Sequence, residues 1–95
     1  MAVAIPVFNS WAANPYTRLT GNIPMPLPGE QRMGGHAIVL IGWANDRSFA
    51  GGGYFVVRNS WGTRWGSTCV FGAGHGTIPF DFIRTLNQFA HTVKV

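Results

Sequence analysis

The sequence predicts a mainly β fold, α+β overall, with a short helix near the C-terminus. Two apolar runs, at 36–43 and 54–59, are rich in the branched and aromatic residues that favour strands. Between them lies a segment of asparagine, aspartate and glycine residues that is typical of a hairpin loop. Helical spacing of apolar residues appears only after Pro79. We therefore expect one domain, residues 1–95, built mainly from antiparallel strands.

The N-terminal third predicts one strand and one extended loop. Ala2 to Phe8 is a short apolar run suited to a strand, and Asn9 to Pro15 carries the turn residues that end it. Gly21 to Glu30 contains three prolines at alternate positions, which exclude a helix and favour an extended path. We interpret this segment as a loop over the surface, with a recognition peptide for a proline-binding module as the alternative.

The two apolar runs predict a hairpin with a defined register. The run from His36 to Trp43 is continuously apolar after its first residue, which favours a strand buried on both faces. The returning strand is expected at Tyr54–Asn59. If the loop is centred near Phe49, the numbers of paired residues sum to about 97 or 98. That register places His36 and Asn59 within about two residues of each other across the ladder, so their side chains are expected to meet.

Beyond the hairpin the pattern is interrupted by glycines. Residues 69–71 (Cys-Val-Phe) predict a short strand, and 72–76 predict a sharp bend or bulge. An amphipathic helix is expected from Pro79, with the Asp81 carboxylate in its first turn. Its apolar residues at helical spacing are Phe82, Leu86, Phe89 and Ala90. The last residues, 91–95, alternate as an edge strand does.

Composition indicates an uncharged surface. The chain is 46% hydrophobic and 11% charged, whereas an ordinary soluble domain carries roughly 25% charged residues. A partner or a further lobe is therefore expected to cover part of the domain. The net charge of +4 comes from scattered cations rather than a basic stripe, which argues against nucleic acid as a partner.

Membrane and secretory signals are not evident in the sequence. The start at Met1 lacks a basic leader with a sustained apolar core, and no run reaches the ~18 apolar residues that a membrane-spanning helix needs. We expect no membrane partner, and a cytoplasmic location if these residues are the complete gene product.

No cofactor or metal is predicted. Cys69 is the only cysteine, so neither an intramolecular disulfide nor a thiolate zinc site can form. His75 and His91 have no acidic or cysteine neighbours to complete a metal site. The glycines at 51–53 lack the lysine and helix start of a phosphate-binding loop.

Three short motifs occur in a specific order: Gly35-His36-Ala37, then Asn59-Ser60-Trp61-Gly62-Thr63, then Trp65-Gly66. In this order they resemble the signature of the papain-like cysteine peptidases. The resemblance extends over nearly the whole chain but only to the β-rich C-terminal lobe of such an enzyme. The segments at 24–26 and 74–80 look most like those of bacterial or archaeal members.

The resemblance implies a fold and roles for five residues. The fold would be an antiparallel half-barrel like the C-terminal lobe of the family, with a short C-terminal helix. His36 would act as general base and as the imidazolium partner of a cysteine, and Asn59 would orient its ring. Trp61 would cover the contact between them. Gly35 and Trp65 would shape the wall of the site.

The nucleophile of the family is not matched by any residue of this sequence. In the family it is a cysteine near the mature N-terminus, on a helix of the other lobe. Cys69 is the one available sulfur, and we expect it to be a buried or loop thiol rather than the nucleophile. The chain alone is therefore not expected to be an autonomous peptidase, and a Cys-bearing N-terminal lobe is its expected partner.

Two other functions remain open from the sequence. The chain is alternatively a free-standing module that binds a peptide or protein on the scaffold of a peptidase lobe. Or it is a self-associating protein, in which two copies cover each other's apolar face.

Overall fold

A computed structural model describes residues 2–8, 11, 14–86 and 89–91. Within them, five strands form one antiparallel sheet in the order β4-β3-β2-β1-β5. The elements in chain order are β1 (Ala2–Phe8), α1 (Pro15–Thr20), β2 (Arg32–Asn45), β3 (Gly53–Arg58), β4 (His75–Pro79), α2 (Phe80–Leu86) and β5 (Phe89–His91). The sheet is open rather than closed, and the mainly β prediction is confirmed.

Strand β2 is the centre of the sheet and pairs with β1 and β3. Its pairs with β3 have residue numbers that sum to 97 at Leu40–Val57 and to 98 at Trp43–Phe55. The change comes from a bulge between Leu40 and Gly42, which places one extra residue on β2. The predicted register of the hairpin is therefore confirmed on both sides of the bulge.

The loop of this hairpin is held by a carboxylate. The Asp46 side chain accepts hydrogen bonds from the Ser48 hydroxyl, at 2.6 Å, and from the Ser48 amide, at 2.9 Å. These bonds, the hydroxyl first, hold the pKa of Asp46 below its usual value because they favour the ionised form. The asparagine- and glycine-containing loop predicted from the sequence is thus a defined turn.

The core lies on one face of the sheet, where α2 packs against β1, β3 and β4. Phe82 of α2 is buried together with residues of the sheet that include Ile5, Val57 and Ile78. Along β2, buried Ile38 and Leu40 alternate with Val39 and Ile41, which are 42% and 54% exposed. The prediction that this run is buried on both faces is therefore wrong.

Local structure departs from the sequence prediction near the first turn. The predicted turn segment, Asn9 to Pro15, ends where α1 begins, and this helix was not predicted. Asn14 caps the helix by accepting a hydrogen bond from the Tyr16 backbone amide at 2.9 Å. Pro15 occupies the first turn, and Gly21 ends the helix in the left-handed conformation. The proline-containing segment that follows is extended apart from one turn, as predicted.

Later elements are shifted from their predicted places. The predicted strand at 69–71 is wrong, because these residues lie in turns closed by the bonds Cys69 N to Gly66 O and Gly72 N to Cys69 O. Strand β4 was not predicted, because glycines interrupt its pattern. Helix α2 carries Asp81 in its first turn as predicted, but Phe89 and Ala90 lie in strand β5. Residues 92–95 of the predicted edge strand lie outside the described residues.

Three glycines bring α1, the turn at 63–68 and β4 into close contact, and we call Gly21, Gly66 and Gly76 the glycine clasp. A Cβ on Gly21 or Gly66 would collide with the carbonyl oxygen of His75. A Cβ on Gly76 would collide with the carbonyl oxygen of Gly21 and would lie 2.8 Å from Cη2 of Trp65. The clasp therefore admits no side chain, and it sets the position of Trp65.

We predict that Gly76→Ala lowers the free energy of unfolding by about 1–3 kcal/mol, since the added methyl group overpacks the clasp. Urea denaturation measures the change. Gly42→Ala is the matched control, because Gly42 also lies in a strand and its Cβ would meet Val56 at an ordinary 3.7 Å. The control is expected to be neutral or stabilising by about 0.5–1 kcal/mol. Equal losses in both variants would contradict the steric role of the clasp.

Candidate active site

The hairpin brings an imidazole and a carboxamide into contact. His36 lies in β2, opposite Ile5 of β1, and Asn59 directly follows β3. Nε2 of His36 lies 2.7 Å from Oδ1 of Asn59. An amide oxygen only accepts, so Nε2 carries the proton, and Nδ1 of the neutral ring is left as a proton acceptor. The expected meeting of the two side chains is confirmed.

Asn59 is held by the loop that follows it. Asn59 is 7% exposed, and its backbone N–H donates to the carbonyl oxygen of Gly74 at 3.0 Å. Gly74 is fixed in turn, because its amide donates to the carbonyl oxygen of Trp65 at 2.9 Å. The backbone that carries the carboxamide is therefore anchored on the 65–74 segment. Nδ2 of Asn59 is buried without a hydrogen-bond partner.

Trp61 lies over the imidazole. The ring centroids of Trp61 and His36 are 4.7 Å apart, and the ring planes are inclined by 33°. Trp61 remains 42% exposed, whereas Asn59 is 7% exposed. The indole lies against one face of the imidazole, and its expected role as a cover over the contact with Asn59 stays a prediction.

Sequence reasoning missed Trp11, which forms a second wall of the site. Its ring lies 5.9 Å from that of His36, at 66°, and 5.4 Å from that of Trp61. Trp65 lies 6.3 Å from Trp11 and 6.1 Å from Trp61. We call Trp11, Trp61 and Trp65 the tryptophan cluster. Trp11 lies 25 residues before His36 in the sequence, and no local pattern links the two.

Burial within the tryptophan cluster is uneven. Trp11 and Trp65 are 1% and 5% exposed, and the indole Nε1 atoms of both are buried without a hydrogen-bond partner. Buried donors without partners are unfavourable. Trp11 therefore contacts the imidazole through its ring surface rather than through a hydrogen bond, and Trp65 packs against Trp11 and Trp61.

Gly35 and Cys69 have no described hydrogen bond to His36 or to Asn59. Gly35 is exposed beside His36 and pairs with Pro6. Cys69 is half-buried in a loop, and its described backbone hydrogen bonds join it to Gly66 and Gly72. The expectation that it is not the nucleophile stays a prediction.

The two remaining histidines, His75 and His91, have described neighbours other than His36 and Asn59. Nδ1 of His75 lies 3.2 Å from the carbonyl oxygen of Ala73. His91 pairs with Ala2 at the end of β5. Within the described ranges, no three side chains of His, Cys, Asp or Glu gather as a metal site would require. None of the helices there combines the length and apolar character needed to cross a membrane.

Comparison with known proteins gives one family. Residues 7–77 match the family described as papain family cysteine protease. An uncharacterized peptidase C1-like protein of Acanthamoeba polyphaga mimivirus is 34% identical over 82 residues, which cover 85% of this chain and 22% of that protein. Cathepsin B-like cysteine proteinase 4 of Caenorhabditis elegans is 43% identical over 47 residues, or 50% of this chain and 13% of that protein. The likeness to bacterial or archaeal members stays a prediction.

We predict that Trp11→Leu lowers the free energy of unfolding by about 2–4 kcal/mol, because it opens a cavity beside His36 and Trp61. The Nε2 proton of His36, followed by NMR, should also exchange faster with water. Trp43→Leu is the matched control, since Trp43 is 66% exposed and its loss should change stability by about 0.5 kcal/mol or less. Equal effects of the two substitutions would refute a special role for Trp11.

Proposed function

This chain belongs to the papain family of cysteine proteases, and we propose that it supplies the base and its orienting group to a cysteine carried by another lobe. The contact of 2.7 Å between His36 Nε2 and Asn59 Oδ1 carries the proposal. It leaves Nδ1 of His36 as the acceptor for a thiol proton. The reaction would be hydrolysis of a peptide bond.

The steps follow from the roles of the two side chains. The thiol proton passes to Nδ1 of His36, and the resulting imidazolium donates from Nε2 to the Asn59 oxygen. The thiolate attacks the carbonyl carbon of the peptide bond, and the imidazolium returns the proton to the leaving amine. Water, deprotonated by the same imidazole, then releases the acyl group from sulfur.

The tryptophan cluster would support these steps by restricting the ring. The Trp61 ring contacts the imidazole with an angle of 33° between the ring planes, and the Trp11 ring does so with an angle of 66°. Rotation of the ring would break these contacts together with the Asn59 hydrogen bond. A ring held before the substrate arrives needs no reorganisation during proton transfer.

The cysteine would come from a lobe that this chain does not provide. The chain spans about a fifth of the mimivirus relative, since the match covers 22% of that protein. The remainder of such a protein is long enough to contain another lobe. That lobe is proposed either as part of the same polypeptide or as a separate partner.

An exposed apolar surface beside the site supports this partner. We define the outer face as Ala37, Val39 and Ile41 of β2 with Arg58 of β3. Its residues line a shallow cavity of about 540 Å³ that also borders Asn59, Ser60 and Gly62. Exposed apolar patches of this kind mark interaction sites. The outer face is the side of β2 opposite to His36, which pairs with buried Ile5. A lobe docked on the outer face would therefore approach the imidazole from the Asn59 end of the cavity.

The test is reconstitution with a thiol-bearing lobe. We would co-express this chain with the N-terminal lobe of a papain-family relative, such as the nematode cathepsin B-like proteinase. The assays are hydrolysis of a fluorogenic peptide and labelling by a thiol-directed epoxide. Activity is expected only when both lobes are present. His36→Ala should then lower kcat about 10²–10⁴-fold, the usual contribution of a general base.

Two further variants complete the test. His75→Gln is the matched histidine control, because its ring contacts only Ala73 among the hydrogen bonds described, and it should retain activity. Cys69→Ser should also retain activity in the reconstituted protein. Hydrolysis that survives His36→Ala, or that depends on Cys69, would contradict the proposal. A homodimer of the chain alone, found by native mass spectrometry, would instead favour self-association through the outer face.

A further inference from the structure

Two arginines line one cavity away from the imidazole. Arg18, in the last turn of α1, and Arg64, in the turn after Trp61, share a cavity of about 230 Å³. Its other lining residues are Pro15, Leu19 and Ser67. Both arginines are exposed. A cavity with two guanidinium groups and a hydroxyl is rich in hydrogen-bond donors.

Backbone hydrogen bonds hold together the two segments that carry these arginines. The Gly66 amide donates to the carbonyl oxygen of Arg18 at 2.7 Å. The amide and the hydroxyl of Thr68 both donate to the carbonyl oxygen of Leu19, each at 2.9 Å. Helix α1 and the 64–68 segment are therefore clamped together at the floor of the cavity. Gly66 belongs to the glycine clasp, where an added Cβ would collide with the carbonyl oxygen of His75.

Neither arginine has a described anionic partner. The ion pair found among the described residues joins Arg84 to Asp81 at 3.5 Å, and the Asp46 carboxylate binds Ser48. Two like charges held at one cavity repel each other, and an anion placed between them removes that repulsion. The cavity therefore has the charge and the donors of an anion site.

The cavity is connected to the candidate active site through a short segment. Arg64 lies three residues after Trp61, whose ring is 4.7 Å from that of His36. Three residues span at most about 11 Å of chain. Arg64 is thus within reach of a side chain a few residues from the cleaved bond of a peptide that lies across the imidazole.

We propose that Arg18 and Arg64 form a subsite for a carboxylate side chain, aspartate or glutamate, of a peptide substrate. The substrate class rests on the proposed peptidase function. The planar fork of arginine pairs with a carboxylate through two parallel hydrogen bonds, which selects acidic side chains over their amides. The net charge of +4 also favours the approach of acidic peptides.

Binding is tested on the chain itself, without the thiol lobe. The ¹⁵N-labelled protein is titrated with two terminally blocked peptides that differ only in one residue, Glu or Gln. The Glu peptide should bind at least about tenfold more tightly, as for a charge-assisted pair, and should shift the amides of residues 64–68. Arg18→Ala or Arg64→Ala should reduce its affinity to that of the Gln peptide. Arg47→Ala, in the hairpin loop, is the control with the same loss of charge and should have no effect.

The named outcomes decide the proposal. Equal affinities for the two peptides, or an equal loss in Arg47→Ala, would overturn it by showing no more than general attraction to a basic protein. Inorganic phosphate that binds more tightly than the Glu peptide would overturn the choice of carboxylate.

In the reconstituted enzyme, Arg64→Ala should lower kcat/KM for the Glu peptide and leave kcat/KM for the Gln peptide unchanged. Failed reconstitution with preserved Glu binding would contradict the peptidase function while leaving the carboxylate site intact.

Discussion

The register of the β2–β3 hairpin is the constraint on which the candidate site depends. His36 and Asn59 are 23 residues apart in the sequence, and the pairing of the two strands brings Nε2 and Oδ1 within 2.7 Å. A slip of one residue would turn one side chain to the opposite face of the sheet. The bulge after Leu40 lies on the loop side of the site. It therefore adds its extra residue without disturbing the pairing near His36.

Much of this arrangement could be predicted from the sequence, because the signals are local. Apolar runs and a turn-rich loop predicted the hairpin, and the loop centre predicted its register. The remaining features depend on contacts distant in sequence. Helix α1 has six residues, which is too short to show a helical period. Trp11 reaches His36 only through the fold, so its place in the site could not be inferred.

The exposed outer face explains why one prediction was wrong. A continuously apolar run normally indicates a strand buried on both faces. Here the second face of β2 meets no other layer among the described residues, and Val39 and Ile41 remain exposed. The small share of charged residues, 11%, fits the same picture. An apolar surface that the chain does not cover itself is the expected property of one lobe of a larger assembly.

The glycine clasp also limits how this protein can diverge. Gly76 lies against Trp65, so a side chain added at Gly76 would displace the Trp65 ring and, through it, the rings around His36. Variation is tolerated more easily where the chain projects into solvent, as at Val70, which is 89% exposed. An affinity handle or a fluorescent reporter grafted at Val70 would therefore leave the surroundings of the imidazole intact. Lengthening the loop itself would instead displace Gly74, whose carbonyl oxygen holds the backbone of Asn59.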